Sequence, residues 1–185
     1  MKKDILTLEE LDASDFNRLI DRAAELKVRY KSGKADRTLV GKSVGLIFDK
    51  PSTRTRLSFE TAAIQLGATP IFIASGDTQM ARNEPIEDTA RVMSRYLDGI
   101  AFRTFSQALL EEFAASCDIP VINALTDTFH PCQILSDLLT VKEYKGDLHK
   151  LKIAWIGDGN NMAHSWINAA AVLGFKLNLA CPKGY

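Results

Sequence analysis

The chain has 185 residues, of which 46% are hydrophobic, enough for one ordinary domain or for one domain and part of another. Its 23 basic and 23 acidic side chains cancel, so no broad field of one sign covers the protein and we predict no nucleic-acid partner. No apolar run approaches the roughly 18 residues of a membrane span, and the 3 cysteines are few and odd in number. We therefore expect a cytoplasmic protein with reduced thiols and no membrane partner.

Apolar periodicity and turn residues predict strands and helices that alternate along the chain. The predicted elements, in chain order, are a helix at 14–31, a buried strand at 43–49, a helix that stops at Gly67, a buried strand at 69–75, a polar surface loop at 76–85, a helix at 86–97, a strand at 99–105, a helix at 107–117, a strand at 120–125, a helix at 130–144, a strand at 152–158, a helix at 161–174 and a strand at 176–182. This alternation is typical of α/β proteins with parallel sheets flanked by helices.

The polar stretch KGDLHKL, at 145–151, predicts a domain boundary. We assign a first domain to 1–145 and the start of a second α/β domain to 146–185. The second piece has one helix between two strands and is too small to bury a core of its own. We therefore expect the sequence to be the N-terminal part of a longer chain.

The stretch FDKPSTRTRLSFE places a row of hydroxyl and guanidinium groups where a predicted strand becomes a helix. A helix N-terminus has unpaired N–H groups and a partial positive charge, so this row suits a phosphate. The alternative is a hydroxyl that caps the helix, followed by surface arginines. The candidate anion-binding residues are Ser52, Thr53, Arg54 and Thr55.

Two further candidates follow later strands. Arg103 lies near the carboxyl end of a predicted strand, where open α/β sheets bind ligands, although an ordinary ion pair would also explain it. His130 and Gln133 begin a helix three positions apart and offer hydrogen bonds to a carbonyl oxygen or an amide, although His130 alone suits a helix cap. His130 and Cys132 are too few ligands for a metal, and we predict no metal site.

The turn GDGNNMAHS is a poor match to a dinucleotide-binding turn. Gly157 and Gly159 fit the first two glycines of that motif, but Met162 occupies the third position and no acidic residue follows at the expected distance. We therefore predict no nicotinamide cofactor and no other cofactor. Asn160 and Asn161 could bind a polar group of a substrate or could cap the following helix.

Taken together, the stretches FDKPSTRTRLSFE, FRTF, HPCQ and GDGNNMAHS resemble the aspartate/ornithine carbamoyltransferase family in order and spacing. Lys50 and Pro51 before the S-T-R-T-R row, and the G-D-G-N-N turn, are more similar to the ornithine branch than to the aspartate branch. Putrescine as the acceptor stays open, because the loop that grips the amino acid in the ornithine branch would lie beyond Tyr185.

The resemblance implies a carbamoyl-phosphate-binding domain followed by the beginning of a Rossmann-like, ornithine-binding domain. Within the site, Arg103 would bridge the phosphate and the carbonyl oxygen, His130 would bind the carbonyl oxygen, and Gln133 would bind the carbamoyl NH₂. Arg54, Arg103 and His130 would be the catalytic residues. The phosphate of carbamoyl phosphate would be held by Ser52, Thr53, Arg54 and Thr55.

The resemblance also implies a homotrimer, in which Gln79 reaches the neighbouring subunit's site, and a contact between Asn161 and ornithine. The implied reaction transfers the carbamoyl group to the δ-amine of L-ornithine and gives citrulline and phosphate. The alternatives are putrescine or aspartate as acceptor, or a segment that binds phosphate or carbamoyl phosphate without turnover. The 185 residues alone are expected to be inactive.

Overall fold

Six strands and six α-helices alternate in the part of the chain that the computed structural model describes, residues 3–74, 76 and 78–185. The strands are β1 (Ser43–Phe48), β2 (Thr69–Ala74), β3 (Gly99–Arg103), β4 (Val121–Leu125), β5 (Lys152–Ile156) and β6 (Lys176–Ala180). The α-helices are α1 (Ala13–Lys31), α2 (Arg54–Gln65), α3 (Ile86–Met93), α4 (Gln107–Ser116), α5 (Pro131–Lys145) and α6 (Asn161–Leu173). None of the described helices has the length and apolar character to cross a membrane.

All strand pairs are parallel, in two separate sheets. The first sheet has the order β2-β1-β3-β4, and the second pairs β5 with β6. After β1 the chain forms β2 at one edge of the first sheet. It then returns to form β3 on the other side of β1, and β4 follows at the opposite edge. The predicted parallel α/β architecture is confirmed, and β1 and β3 form a topological switch point.

One face of the first sheet packs on α3 and α4. Ile47, Ile100 and Phe102 from the strands meet Leu110 and Phe113 from α4 in a buried cluster. The rings of Phe102 and Phe113 pack edge to face, with centroids 5.1 Å apart. This cluster holds the carboxyl ends of the central strands rigid because close-packed interiors resist displacement.

Helices α1, α5 and α6 share a second core. Phe16 of α1, Leu138 of α5 and Trp166 and Leu173 of α6 belong to one buried cluster, which also includes Leu148 in the short 3₁₀ turn at Leu148–Lys150. The β5-α6-β6 segment therefore buries its apolar helix against α1 and α5. The boundary near Lys145 remains a prediction.

The predicted burial of β2 is wrong. This strand forms the edge of its sheet, and Ile71 is 40% exposed. On the adjacent α2, the apolar side chain of Leu57 is 56% exposed. An apolar run identifies a strand but does not say how many neighbours the strand has.

Some predicted ends also differ from the structure. Helix α3 ends at Met93 instead of continuing to Leu97, and Ser94 follows as its C-terminal cap. The predicted end of the second strand, at Ser75, lies outside the described residues, as does Asp77 in the predicted surface loop. The first helix begins at Ala13, and Asp12 caps it by accepting the N–H of Asp15 at 2.8 Å.

Replacing Phe113 with alanine should destabilise the protein by about 3–5 kcal/mol, because it removes a fully buried ring and leaves a cavity beside Phe102. Urea unfolding followed by circular dichroism would measure the change. Tyr144→Ala is the control, since that ring is 81% exposed and its loss should change the free energy of unfolding by less than about 0.5 kcal/mol. Equal effects from the two variants would contradict the assignment of this core.

Candidate active site

The loops that follow β1, β3 and β4 meet at the carboxyl ends of neighbouring strands. Phe48, the last residue of β1, is in register with Arg103, which in turn is in register with Leu125. Ligands of open α/β sheets bind in the crevice at such a switch point. The loop after β1 leads into the S-T-R-T-R row at the start of α2, Arg103 is the last residue of β3, and the loop after β4 ends at His130.

The N-terminus of α2 suits an anion. The N-cap residue, Thr53, makes no side-chain capping hydrogen bond among the described residues, and the first turn contains no acidic side chain. Arg54 and Arg56 lie in that turn instead. Uncapped N–H groups, the helix dipole and added positive charge all favour a bound anion over an acidic cap.

A cleft of about 690 Å³ opens beside this turn. Arg103 lines this cleft and donates a hydrogen bond from Nη1 to Thr55 Oγ1 at 2.8 Å. Its Nε is buried without a partner among the described residues. No aspartate or glutamate is among the described lining residues, which are Arg54, Thr55, Ser58, Phe59, Ala62, Arg103, Ala124, Leu125, His130, Cys132, Gln133 and Ser136. Burial lowers the pKa of Arg103 from its ordinary value but leaves a charged guanidinium with spare donors.

His130 enters the cleft from the loop between β4 and α5. Its Nδ1 is buried without a partner among the described residues. Burial, and secondly the positive charge of Arg103, lowers the pKa of His130 to about 4. The imidazole is therefore neutral at pH 7 and can donate one hydrogen bond without placing a second positive charge beside Arg103.

Gln133 and Cys132 line the same cleft on the first turn of α5. Gln133 is exposed, and its Nε2 donates to Asp137 Oδ1 at 2.9 Å. Burial raises the pKa of the Cys132 thiol to about 12, so it is not a thiolate nucleophile. The described residues contain no group of three or more His, Cys, Asp or Glu placed to hold a metal ion.

Not all of the predicted site residues meet in this cleft. Ser52 and Thr53 line a neighbouring cavity of about 460 Å³, together with Lys50 and Arg56. Arg54 and Thr55 face the larger cleft. The S-T-R-T-R row therefore borders two adjoining cavities, and its role as a single anion site stays a prediction.

Gln79 and Asn161 lie outside the described lining of the cleft. Gln79 is exposed on the 3₁₀ turn Gln79–Arg82. Asn161 begins α6 and donates from Nδ2 to the carbonyl oxygen of Thr126 at 2.9 Å, which fixes the orientation of its amide. The cap of α6 is Asn160, whose side chain accepts the N–H groups of Met162 and Ala163.

A contact that no sequence pattern predicted joins the three loops. Lys50 Nζ lies 2.5 Å from Asp127 Oδ1 and 3.7 Å from the centre of the Phe105 ring. Lys50 was noticed only as a difference between family branches. Its partner Asp127 is 77 positions away, so no local pattern could have revealed the pair.

Comparison with known proteins places this geometry in a family. Two protein-family models match the chain. Residues 3–143 match the carbamoyl-phosphate-binding domain of aspartate/ornithine carbamoyltransferase, and residues 149–185 match its Asp/Orn-binding domain. The chain belongs to the aspartate/ornithine carbamoyltransferase family. The resemblance inferred from the four motifs is therefore confirmed.

The similar proteins are ornithine carbamoyltransferases. The chain is 57% identical to that of Geobacter sulfurreducens and 56% identical to that of Syntrophus aciditrophicus, covering 100% of this chain and 61% of each relative. It therefore spans about three-fifths of the length of these relatives. The crystal structure from Burkholderia thailandensis has a TM-score of 0.94 at 42% identity, over 98% of this chain and 63% of that one. The ornithine carbamoyltransferase of Pyrococcus furiosus has a TM-score of 0.95 at 43% identity, over 99% of this chain and 58% of that one.

The pKa of His130 can be measured by NMR titration of histidine labelled with ¹³C at Cε1. We expect His130 to titrate near pH 4. In Arg103→Met its pKa should rise, because the guanidinium no longer opposes the imidazolium, but it should stay below the ordinary value since burial is the larger cause.

The lowered pKa of His130 links its protonation to folding, and this linkage fixes how the free energy of unfolding changes with pH. Between about pH 6.5 and pH 4 the unfolded chain binds a proton at His130 that the folded chain does not, so this residue makes stability fall as the pH drops through that window. His130→Gln should remove that part of the decline. An unchanged pH dependence, or a His130 that titrates near pH 6.5, would contradict the described burial.

Proposed function

We propose that the protein transfers the carbamoyl group of carbamoyl phosphate to the δ-amine of L-ornithine and releases citrulline and phosphate. The observation that carries this proposal is the convergence of Arg54, Thr55, Arg103, His130 and Gln133 on one cleft at the switch point of a sheet in this family. The names of the similar proteins favour ornithine over aspartate and putrescine as the acceptor.

The phosphate end of carbamoyl phosphate binds at the start of α2. Arg54 and the Thr55 hydroxyl border the cleft, and the hydrogen bond from Arg103 to Thr55 presets both side chains before the ligand arrives. Ser52 and Thr53 approach from the adjoining cavity. Hydrogen bonds to a charged oxygen contribute roughly 1.5–3 kcal/mol each, so several of them hold a dianion without a metal.

The carbonyl end lies between Arg103 and His130. As the amine nitrogen bonds to the carbamoyl carbon, negative charge develops on the carbonyl oxygen, and both side chains donate to it as an oxyanion hole does. The C–O bond to phosphate then breaks, phosphate leaves with the electron pair, and the departing phosphate takes up the proton that the attacking nitrogen loses. Gln133 offers its side-chain carbonyl to the carbamoyl NH₂.

The remaining assignments concern the second substrate and the assembly. Asn161, whose Nδ2 is engaged, presents Oδ1 as the acceptor for a polar hydrogen of ornithine. We propose a cytoplasmic homotrimer in which Gln79, exposed on its 3₁₀ turn, completes the site of the neighbouring subunit. Analytical ultracentrifugation of the full-length protein would test the trimer.

The test of the function is citrulline formation by the full-length protein, with ornithine, putrescine and aspartate compared at equal concentration. We expect turnover with ornithine to exceed that with the other two amines. A preference for putrescine or aspartate would make that amine the acceptor instead of ornithine. A lack of turnover with all three amines would overturn the assignment as a carbamoyltransferase. Calorimetry of the 185-residue segment with carbamoyl phosphate separately tests whether it binds the ligand without turnover.

Arg103→Ala and Arg54→Ala should each lower kcat about 10²–10³-fold, because each removes a donor to developing charge. Steady-state citrulline assays would measure the loss. Arg18→Ala is the matched control, since Arg18 is an exposed arginine paired with Asp15 on α1. Normal turnover by Arg103→Ala or Arg54→Ala would remove that residue from the mechanism.

Activity should rise with pH, because the attacking amine must be uncharged and an alkyl amine has a pKa of about 10. The value of kcat/KM for ornithine should climb by up to about tenfold per unit between pH 6 and pH 9. His130 does not contribute to the rise, since its pKa near 4 keeps it neutral over this whole range. A flat profile would contradict attack by the free amine.

A further inference from the structure

Ser165, on α6, holds the backbone of His130 from outside the first sheet. Its side chain is fully buried, and its Oγ accepts the backbone N–H of His130 at 2.8 Å. The same hydroxyl donates to the carbonyl oxygen of Asn161 at 2.9 Å. Because the hydroxyl uses its one proton on Asn161, its lone pairs are oriented toward the His130 N–H.

The first turn of α6 binds the rest of this loop as well. Asn161 Nδ2 donates to the Thr126 carbonyl at 2.9 Å, and His164 Nδ1 lies 3.0 Å from the Thr128 carbonyl. A carbonyl can only accept, so Nδ1 of His164 carries the proton. The His164 ring also packs edge to face on Phe129, with centroids 6.0 Å apart. Helix α6 therefore contacts the loop along its whole length, from residue 126 to residue 130.

The anchor lies where the loop becomes a helix. His130 is the N-terminal flanking residue of α5 and has non-helical dihedral angles, with φ −136° and ψ 67°. Pro131 follows it and restricts that conformation further. With the N–H of His130 fixed by Ser165, the remaining freedom of the imidazole is rotation about its own side-chain bonds.

We propose that Ser165 is a positioning residue for His130: its buried hydroxyl sets the backbone from which the imidazole reaches the carbonyl oxygen beside Arg103. The proposal rests on the proposed role of His130 in carbamoyl transfer. Ser165 lies in the stretch that matches the Asp/Orn-binding domain, whereas His130 lies in the stretch that matches the carbamoyl-phosphate-binding domain. The second stretch therefore sets the geometry of a group in the first.

The chain provides a matched control. Ser94 Oγ donates to the Ala90 carbonyl one turn earlier, at 2.8 Å, and accepts the backbone N–H of Asp118 at 3.1 Å. It bridges a helix to a loop with the same hydrogen-bond pattern as Ser165, but that loop carries none of the cleft residues. Ser94→Ala therefore removes an equivalent bridge without touching the His130 loop.

The experiment compares Ser165→Ala and Ser94→Ala in the full-length protein. Ser165→Ala should lower kcat about 10- to 100-fold, because a misplacement of about 1 Å of a reacting group costs rates of this order. The KM for carbamoyl phosphate and the Kd of inorganic phosphate should stay within about twofold, since the phosphate is held by α2 and β3. Ser94→Ala should leave kcat within about twofold of the unsubstituted protein. Equal losses of kcat in both variants, or a normal kcat in Ser165→Ala, would overturn the proposal.

A second measurement separates this proposal from the proposed function. In ¹³C-histidine spectra, Ser165→Ala should move the His130 Cε1 resonance and raise the pKa of His130, because the ring loses its buried position, while Ser94→Ala should change neither. This readout does not depend on turnover. A protein that lacks carbamoyl transfer but shows the His130 shift would overturn the function and keep the positioning role; an unchanged His130 resonance would overturn the positioning role alone. If Ser165→Ala does not fold, Ser165→Cys replaces the hydroxyl with a slightly larger thiol, which is a poor acceptor, and should show the same shift.

Discussion

The parallel pairing of β1 with β3 is the constraint on which the site depends. These strands are adjacent in the sheet, yet β2 lies between them in the sequence. The connections that leave their carboxyl ends therefore run to opposite sides, from β1 toward β2 and from β3 toward β4. The crevice left there contains the start of α2 and the side chain of Arg103. A hydrogen bond of 2.8 Å from Arg103 to Thr55 joins the end of β3 to the start of α2. Without this register, the hydroxyl row and the guanidinium would belong to separate surfaces.

The electrostatics of the cleft follow from this arrangement. Arg103 is partly desolvated, and burial, with a smaller contribution from the charge of Arg103, lowers the pKa of His130 so that it is neutral at pH 7. The proposed function would therefore place the phosphate where positive charge is concentrated, with His130 as a neutral donor to the carbonyl oxygen. The absence of acidic side chains from the described lining leaves the guanidinium groups of the cleft free to bind an external anion. The partial burial of Arg103 and His130 makes their interactions stronger than they would be on an open surface.

The loop of His130 depends on distant parts of the chain. Lys50 contacts Asp127 and the ring of Phe105, so the three loops at the sheet edge are joined by one ion pair and one cation–π contact. From the opposite side, α6 contributes Ser165 and its neighbours. The core shared by α1, α5 and α6 then fixes α6 itself. A catalytic geometry is most precise when its supporting residues are locked by packing in this way.

From the sequence it was possible to predict the order of helices and strands, the parallel architecture and the residue types of the candidate site, because periodicity and the chemistry of S-T-R-T-R and H-P-x-Q are local properties. The sequence did not reveal that β2 is an edge strand, that Ser52 and Thr53 face a separate cavity from Arg54, or that Ser165 binds His130. Those features were decided by the tertiary structure alone. Strand order, cavity walls and hydrogen bonds between remote loops arise from contacts that no window of neighbouring residues contains.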